Sequence, residues 1–153
     1  MGKKGWILTG ICLLFCLLAL FDYIRAGMFH ITVLSAVPDP SAADGHTPVT
    51  VSVQLTDWRG KGVEGHSLYA FPLNGGAFST NRLITDENGK AEYEYIPYRA
   101  SESFPLQDVT ILIRDESNSV FIEINTKTEY SIRLVRPGQE EQQKIDMDAI
   151  YGD

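Results

Sequence analysis

Residues that could hold a metal ion lie in two predicted turns of the sequence. Asp57 begins one turn, and Asp86 and Asn88 lie in the other. Carboxylate and amide oxygens suit Ca²⁺, but a calcium site needs about six or more of them. In turns, Asp and Asn also accept hydrogen bonds from the backbone two residues onward, which explains these residues without an ion. We therefore predict no metal site and no cofactor.

The histidines and the known motifs give little support to catalysis. His30, His46 and His66 lie in separate segments, without metal-ligand spacing. The sequence contains no Gly-x-Ser-x-Gly elbow, no His-Glu-x-x-His pair and no phosphate-binding loop, which are the motifs that carry hydrolytic or phosphoryl chemistry. We predict no catalytic residue, and a small envelope enzyme is kept only as a second alternative.

Two aromatic residues in predicted turns are candidates for binding. Trp58 lies in a glycine-rich turn, and Tyr98 lies in a later loop. Exposed rings of this kind contact protein partners or stack on sugars. Tyr93 and Tyr95 alternate with glutamates, so we expect them in the core beside Ala91, with Tyr98 exposed.

Strands must position these residues, because apolar and polar residues alternate through most of the chain. The clearest case is 49–56, where Val and Leu take every second place, which is typical of a strand with one buried face. The Asn88-Gly89 pair between two such runs predicts a hairpin. Eight short strands are predicted in this way, which favours an all-β sandwich. They cover 28–37, 49–56, 67–71, 78–85, 90–96, 109–114, 120–125 and 130–134.

The N-terminus is apolar and predicts a membrane anchor. Residues 6–21 carry no charge, and about sixteen residues of helix span about 24 Å, short of the ~30 Å hydrocarbon core. Lys3 and Lys4 precede this segment, so residues 1–5 are expected in the cytoplasm, 6–24 in the membrane and the rest outside. A cleaved signal peptide is the alternative, but a cut after Ala26 would put Ile24 where a small residue is needed.

Both cysteines lie in the anchor, and the tail is acidic. Cys12 and Cys16 share one helix face; lipidation or a contact within the membrane is one reading, and two small apolar residues the other. The globular part, residues 28–136, therefore holds no disulfide.

The tail, 137–153, has five acids and one base, which favours disorder. The alternative is a short docking helix with Ile145, Ala149 and Ile150 on one face.

About fifty residues resemble the bacterial immunoglobulin-like domains of invasin and intimin. The matching features are a strand ending in Thr56-Asp57, then Gly75-Gly76, then the hairpin of 85–91, which begins Thr-Asp and ends Gly-Lys-Ala. The resemblance implies an immunoglobulin-like Greek-key β-sandwich, behind one N-terminal transmembrane helix, in a bacterial envelope protein. Such adhesins usually string several copies together, whereas this sequence holds one. One sandwich extends only some tens of Å, which favours contact at the membrane.

These observations predict a single-pass membrane protein with one sandwich outside the cytoplasm. The net charge of −7 and the lack of basic clusters argue against nucleic acid,. The expected role is non-enzymatic, as an accessory or scaffolding part of a cell-envelope assembly, with the bilayer and a neighbouring envelope protein as partners. The alternative is a carbohydrate- or wall-binding module in which Trp58 and Tyr98 stack on sugars.

We expect residues 28–136 to fold alone as a soluble, thiol-free domain, because alternating strands supply a core without disulfides or metal. Thermal unfolding of this fragment should be cooperative and insensitive to added Ca²⁺ or chelator. A melting temperature that shifts strongly with either would overturn the prediction that no metal is bound.

Overall fold

The computed structural model describes residues 3–137, which form one helix and ten strands. The helix, α1, runs from Lys3 to Ala26. The strands are β1 (Phe29–Val37), β2 (Ser41–Ala42), β3 (Val49–Asp57), β4 (Ser67–Pro72), β5 (Ala77–Phe78), β6 (Arg82–Ile84), β7 (Lys90–Ile96), β8 (Val109–Asp115), β9 (Lys127–Ile132) and β10 (Leu134–Val135).

Helix α1 is apolar and stands almost wholly exposed. Its segment Gly5–Ala26 has 22 residues and a mean hydropathy of 2.4, so its length and composition allow it to cross a membrane. Arg25 lies in its last turn, where a cation favours the helix dipole,. Only Gly27 and Met28 separate α1 from β1, so the helix leads directly into the sheet.

The strands form two four-stranded antiparallel sheets with their apolar faces together. The first sheet has the order β1-β3-β7-β5 and the second β6-β4-β8-β9, while β2 and β10 form a short parallel pair. Along β3, each residue predicted to face inward is fully buried, from Val49 to Leu55. The β-sandwich predicted from the alternation of residues is confirmed.

Two tyrosines join the layers of the core. Tyr93 is buried, and its hydroxyl donates to the carbonyl of Leu68 in the opposite sheet at 2.8 Å. Tyr95 is also buried and donates to the carbonyl of Gly75 at 2.9 Å. Burial raises the pKa of both phenols, so both stay neutral donors. Their predicted place in the core is confirmed.

The predicted strand 78–85 is wrong as a single element. Its first part, β5, pairs with β7 in the first sheet, whereas β6 pairs with β4 in the second. Between them Asn81 bonds to Ala70 through both its side chain and its backbone carbonyl, at 2.9 and 2.8 Å. The chain therefore crosses from one sheet edge to the other, which the pattern of residue types does not encode.

The predicted strand 120–125 is also wrong. This segment belongs to a loop, because the backbone N–H groups of Val120, Phe121 and Ile122 bond to the carboxylate of Asp22 instead of a neighbouring strand. In β1, a bulge between Val33 and Ser35 shifts the predicted alternation. The predicted tail, 137–153, lies outside the described residues from 138 onward.

Replacing Val51 by Ala should cost about 2–4 kcal/mol of unfolding free energy, because it leaves a cavity at a fully buried site,. Replacing its exposed neighbour by Ala, in Thr50→Ala, should change it by less than about 0.5 kcal/mol,. Chemical denaturation of the two variants compares them directly. If Thr50→Ala proves the less stable, the assignment of the two faces of β3 is wrong.

Candidate binding surfaces

The strand pairing fixes which loops lie near the helix. Phe29, just after α1, pairs with Asp57 at the end of β3, so the turn that follows lies at the helix-proximal end of the sandwich. Tyr95 pairs with Val49 at the other end of β3, so the loop after β7 lies at the distal end. The helix-proximal end holds 58–66, 86–89 and 116–126, and the distal end holds 38–48, 73–76 and 97–108. Trp58 and Tyr98 are therefore at opposite ends, and the fold does not bring them together.

Trp58 lies at the helix-proximal end with 60% of its surface exposed. The guanidinium carbon of Arg59 lies 4.4 Å from its ring centroid and covers part of the ring,. Asp57 holds the turn, because one of its oxygens accepts the N–H groups of Arg59 at 2.8 Å and Lys61 at 2.9 Å. The bond from Lys61 is the largest influence on the pKa of Asp57, which is lowered.

The second turn is closed in the same way. Asp86 accepts the N–H groups of Asn88 at 2.8 Å and Lys90 at 2.7 Å. Both acidic turns are therefore held by local backbone bonds, as predicted. Within residues 3–137, no group of three His, Cys, Asp or Glu side chains converges on a metal-binding position.

Tyr98 is half-buried, not exposed as the sequence predicted. Its hydroxyl donates to the carbonyl of Pro105 at 2.8 Å and accepts the N–H of Gln107 at 3.0 Å. Gly75 makes this packing possible, because a Cβ there would lie 2.8 Å from the Tyr98 ring. Tyr98 therefore supports the loop 97–108 through these bonds. The prediction of exposure failed because Gly75, whose missing side chain leaves room for the Tyr98 ring, is distant from Tyr98 in the sequence.

Three apolar side chains project at the distal end: Phe104, with 68% of its surface exposed, Leu73 and Leu106. We call these three residues the distal patch. Beside Phe104 is a pocket of about 200 Å³, lined also by the Tyr98 ring and by Gly75. Sequence reasoning placed Phe104 in a loop and assigned it no role. Only the structure shows that Tyr98 is hydrogen-bonded to this loop.

A histidine–aspartate hydrogen bond at the helix-proximal end was also missed. His66 Nδ1 lies 2.8 Å from the carboxylate of Asp115, which is fully buried. Asp115 also accepts the N–H of Ser117, whose hydroxyl accepts the N–H of Ser67, each at 2.8 Å. The ring of Phe29 packs on His66, with centroids 5.1 Å apart. These contacts join β8 to the start of β4 and fix the base of the loop that follows.

That loop, residues 116–126, is bound to α1, and we call it the helix-docked loop. Asp22 accepts the N–H groups of Val120 at 3.0 Å and Phe121 at 2.7 Å, and that of Ile122 as well. The hydroxyl of Thr126 donates to the last helical carbonyl, that of Ala26, at 2.6 Å. Asp22 is fully buried by these contacts, although the helix around it is exposed.

Glu116 opens the helix-docked loop and is fixed by two arginines. Arg82 and Arg114 approach its two carboxylate oxygens at 2.6 and 2.9 Å, and both guanidinium groups lie over the ring of Tyr69. Burial raises the pKa of Glu116, but the hydrogen bonds from Arg114 and Arg82 outweigh it and lower the pKa overall. The carboxylate therefore stays ionised and holds the loop to the second sheet.

The chain is similar in fold to bacterial proteins of known structure. No protein-family model and no curated protein matches the sequence. The structure of invasin, described as a bacterial integrin-binding protein, aligns with a TM-score of 0.52 and 19% identity. The match covers 69% of this chain and 19% of the invasin chain, so the chain spans about a fifth of that protein.

Two further structures align at lower scores. The D00-D0 domain of intimin has 14% identity and a TM-score of 0.47, over 65% of this chain and 46% of that one. A conjugative transposon lipoprotein from Bacteroides eggerthii has 13% identity and a TM-score of 0.44, over 69% of this chain and 96% of that one. Residues 29–135 therefore form an immunoglobulin-like β-sandwich that is similar in fold to part of invasin, and one apolar helix precedes it.

Proposed function

We propose that the chain is a single-pass membrane protein whose immunoglobulin-like domain is a non-enzymatic binding module of a bacterial envelope assembly. Helix α1 is the anchor, with residues 1–5 in the cytoplasm and the domain on the outer side. The lysines at positions 3 and 4 support this orientation, because positive charge is retained on the cytoplasmic side,.

The domain sits directly on the membrane in this arrangement. Only Gly27 and Met28 join it to α1, and a strand of nine residues such as β3 extends about 30 Å,. The distal end therefore reaches a few tens of Å above the bilayer. A partner must be held in or close to the same membrane, which favours another envelope protein over a distant host surface.

The distal patch is the observation that carries the proposed binding role. Phe104, Leu73 and Leu106 are exposed at the end of the domain that points away from the anchor. Aromatic side chains are enriched at protein interfaces, and the Tyr98 bonds hold the Phe104 loop in place before a partner arrives,. We propose that this surface receives a protein partner, with Tyr98 as its support. Trp58 has a separate role at the helix-proximal end, where its ring suits the membrane interface.

The orientation predicts the result of limited proteolysis. Protease added to spheroplasts should remove the domain and spare an N-terminal fragment that stays in the membrane. In sealed inverted vesicles the domain should be protected. Recovery of a mature soluble protein beginning near Gly27 would contradict the anchor and support a cleaved signal peptide.

The binding role predicts a position-specific crosslink in intact membranes. A photoreactive phenylalanine at position 104 should crosslink to an envelope protein, whereas the same group at exposed Thr50, on the outer face of the first sheet, should not. Phe104→Ser should weaken partner recovery about tenfold or more, because truncating a central aromatic anchor removes most of its contact energy. Thr50→Gln is the matched control, because it changes an exposed side chain outside the distal patch.

Two outcomes would contradict the proposal. Equal crosslinking from positions 50 and 104 would show that the distal patch is not the binding surface. Retention on peptidoglycan or glycan resin that is lost in Trp58→Ala or Tyr98→Ala would favour the carbohydrate-binding alternative.

A further inference from the structure

The helix-docked loop supports an inference beyond the proposed binding role, and this inference rests on the proposal that α1 spans the membrane. Asp22 lies one turn before the end of α1, inside the apolar segment Gly5–Ala26. A carboxylate is costly at that depth unless it is paired or hydrogen-bonded. Three successive N–H groups of the loop converge on it, and an anion held by several backbone donors is well stabilised. The loop therefore shields the charge.

Shielding Asp22 changes the length of apolar helix available to lipid. Residues 6–21 alone give about 24 Å of helix. With Asp22 covered, the run without an exposed charge extends from Trp6 to Ile24, just before Arg25, and 19 residues give about 28 Å, which is close to a hydrocarbon core of about 30 Å. The helix is then long enough to span without thinning the bilayer.

The loop that shields Asp22 must itself lie at the depth of Asp22. Its tip packs on the helix, with the rings of Phe21 and Phe121 in an edge-to-face contact at 5.7 Å. Phe21 is five residues before the end of α1, so this contact lies about 7–8 Å below the helix end. Thr126 binds the carbonyl of Ala26, so the loop runs down the helix from its last turn to Phe21.

The tip presents apolar side chains outward at that level. Val120 and Phe121 each have 54% of their surface exposed, and Ile122 has 37%. Their backbone donors are already occupied by Asp22, so these three residues suit lipid, whereas the exposed carboxylate of Glu123 that follows them must stay at the level of the headgroups. Interfacial segments with apolar faces bury about 5–10 Å into the boundary between headgroups and acyl chains.

We propose that the helix-docked loop inserts into the outer leaflet as a second membrane contact. Val120, Phe121 and Ile122 lie among the outer headgroups and upper acyl chains, beside α1. Asp22 holds the loop in this position. The domain is thus attached to the bilayer at two points, the chain connection at Gly27 and the inserted loop.

Fluorescence quenching in vesicles tests the insertion. The full chain, with Cys12→Ala and Cys16→Ala, is reconstituted into phosphatidylethanolamine and phosphatidylglycerol vesicles. A single cysteine for an environment-sensitive dye is introduced by Phe121→Cys, by Leu13→Cys within the helix, or by Phe104→Cys at the distal end. Nitroxide lipids labelled near the headgroup or deep in the chain then report depth.

The dye at position 121 should be quenched several-fold more by the shallow nitroxide lipid than the dye at position 104, which only aqueous iodide should reach. Equal iodide access at positions 121 and 104 would overturn the insertion. The dye at position 13 should respond to the deep nitroxide lipid. Loss of that response would contradict the membrane anchor itself, whereas a response at 13 without one at 121 would reject only the inserted loop.

The role of Asp22 is tested in the same vesicles with the dye at position 121. Asp22→Ala removes every acceptor and should lower the shallow quenching strongly, while Asp22→Asn keeps one carbonyl acceptor and should lower it less. Repeating the pair with the dye at Val120→Cys guards against an effect of losing the Phe121 ring. Unchanged quenching in Asp22→Ala would overturn the role of Asp22 in holding the loop.

Discussion

The carboxylate of Asp22 and the three backbone N–H groups that it accepts are the interaction on which the junction of helix and domain depends. On insertion scales an aspartate at the centre of a membrane helix costs about 2.5–3.5 kcal/mol, and less near the interface. Burying the same carboxylate against aligned donors offsets part of this cost. The donors gain too, because residues 120–122 pair with no strand and would otherwise need water. The carboxylate therefore gains hydrogen-bond donors, and the amides of the loop gain an acceptor.

Short hydrogen bonds connect the helix-docked loop to the core of the sandwich. The base of the helix-docked loop is fixed by the His66–Asp115 pair and by the bond between Ser67 and Ser117. Asp115 ends β8, whose inward side chains are fully buried. Core, loop and helix are thus joined by packed side chains and hydrogen bonds, which limits rotation of the domain about Gly27. A fixed domain presents the distal patch in one direction, which would lower the ordering cost of the partner binding proposed for it.

The sequence predicted those parts of the fold that depend on local patterns. The alternation in β3 is confirmed, because strand period is set by neighbouring residues,. The Asn88-Gly89 turn also forms, but the predicted hairpin is wrong, because this turn joins β6 in the second sheet to β7 in the first and the two strands do not pair. The segment 120–125 has the same alternation, yet it forms a loop, since its donors are satisfied by a residue about a hundred positions earlier.

The candidate site shows the same limit. Trp58 is exposed whereas Tyr98 is half-buried, and no local feature of the sequence predicts this difference in exposure. The environment of Tyr98 is decided by the missing side chain of Gly75, on a different strand connection. Phe104 and the His66–Asp115 pair were likewise found only from the structure, because long-range contacts bring their surroundings together.

Amide hydrogen exchange of the full chain in lipid nanodiscs tests the central claim most directly. If Asp22 binds the loop at the membrane surface, the amides of residues 120–122 should exchange far more slowly than those of the exposed distal residues 102 and 103. Asp22→Ala should then speed the exchange at 120–122 and leave the amides of β3 unchanged, since the core does not need this contact. Rapid exchange at 120–122 in the native chain, equal to that of residues 102 and 103, would contradict it.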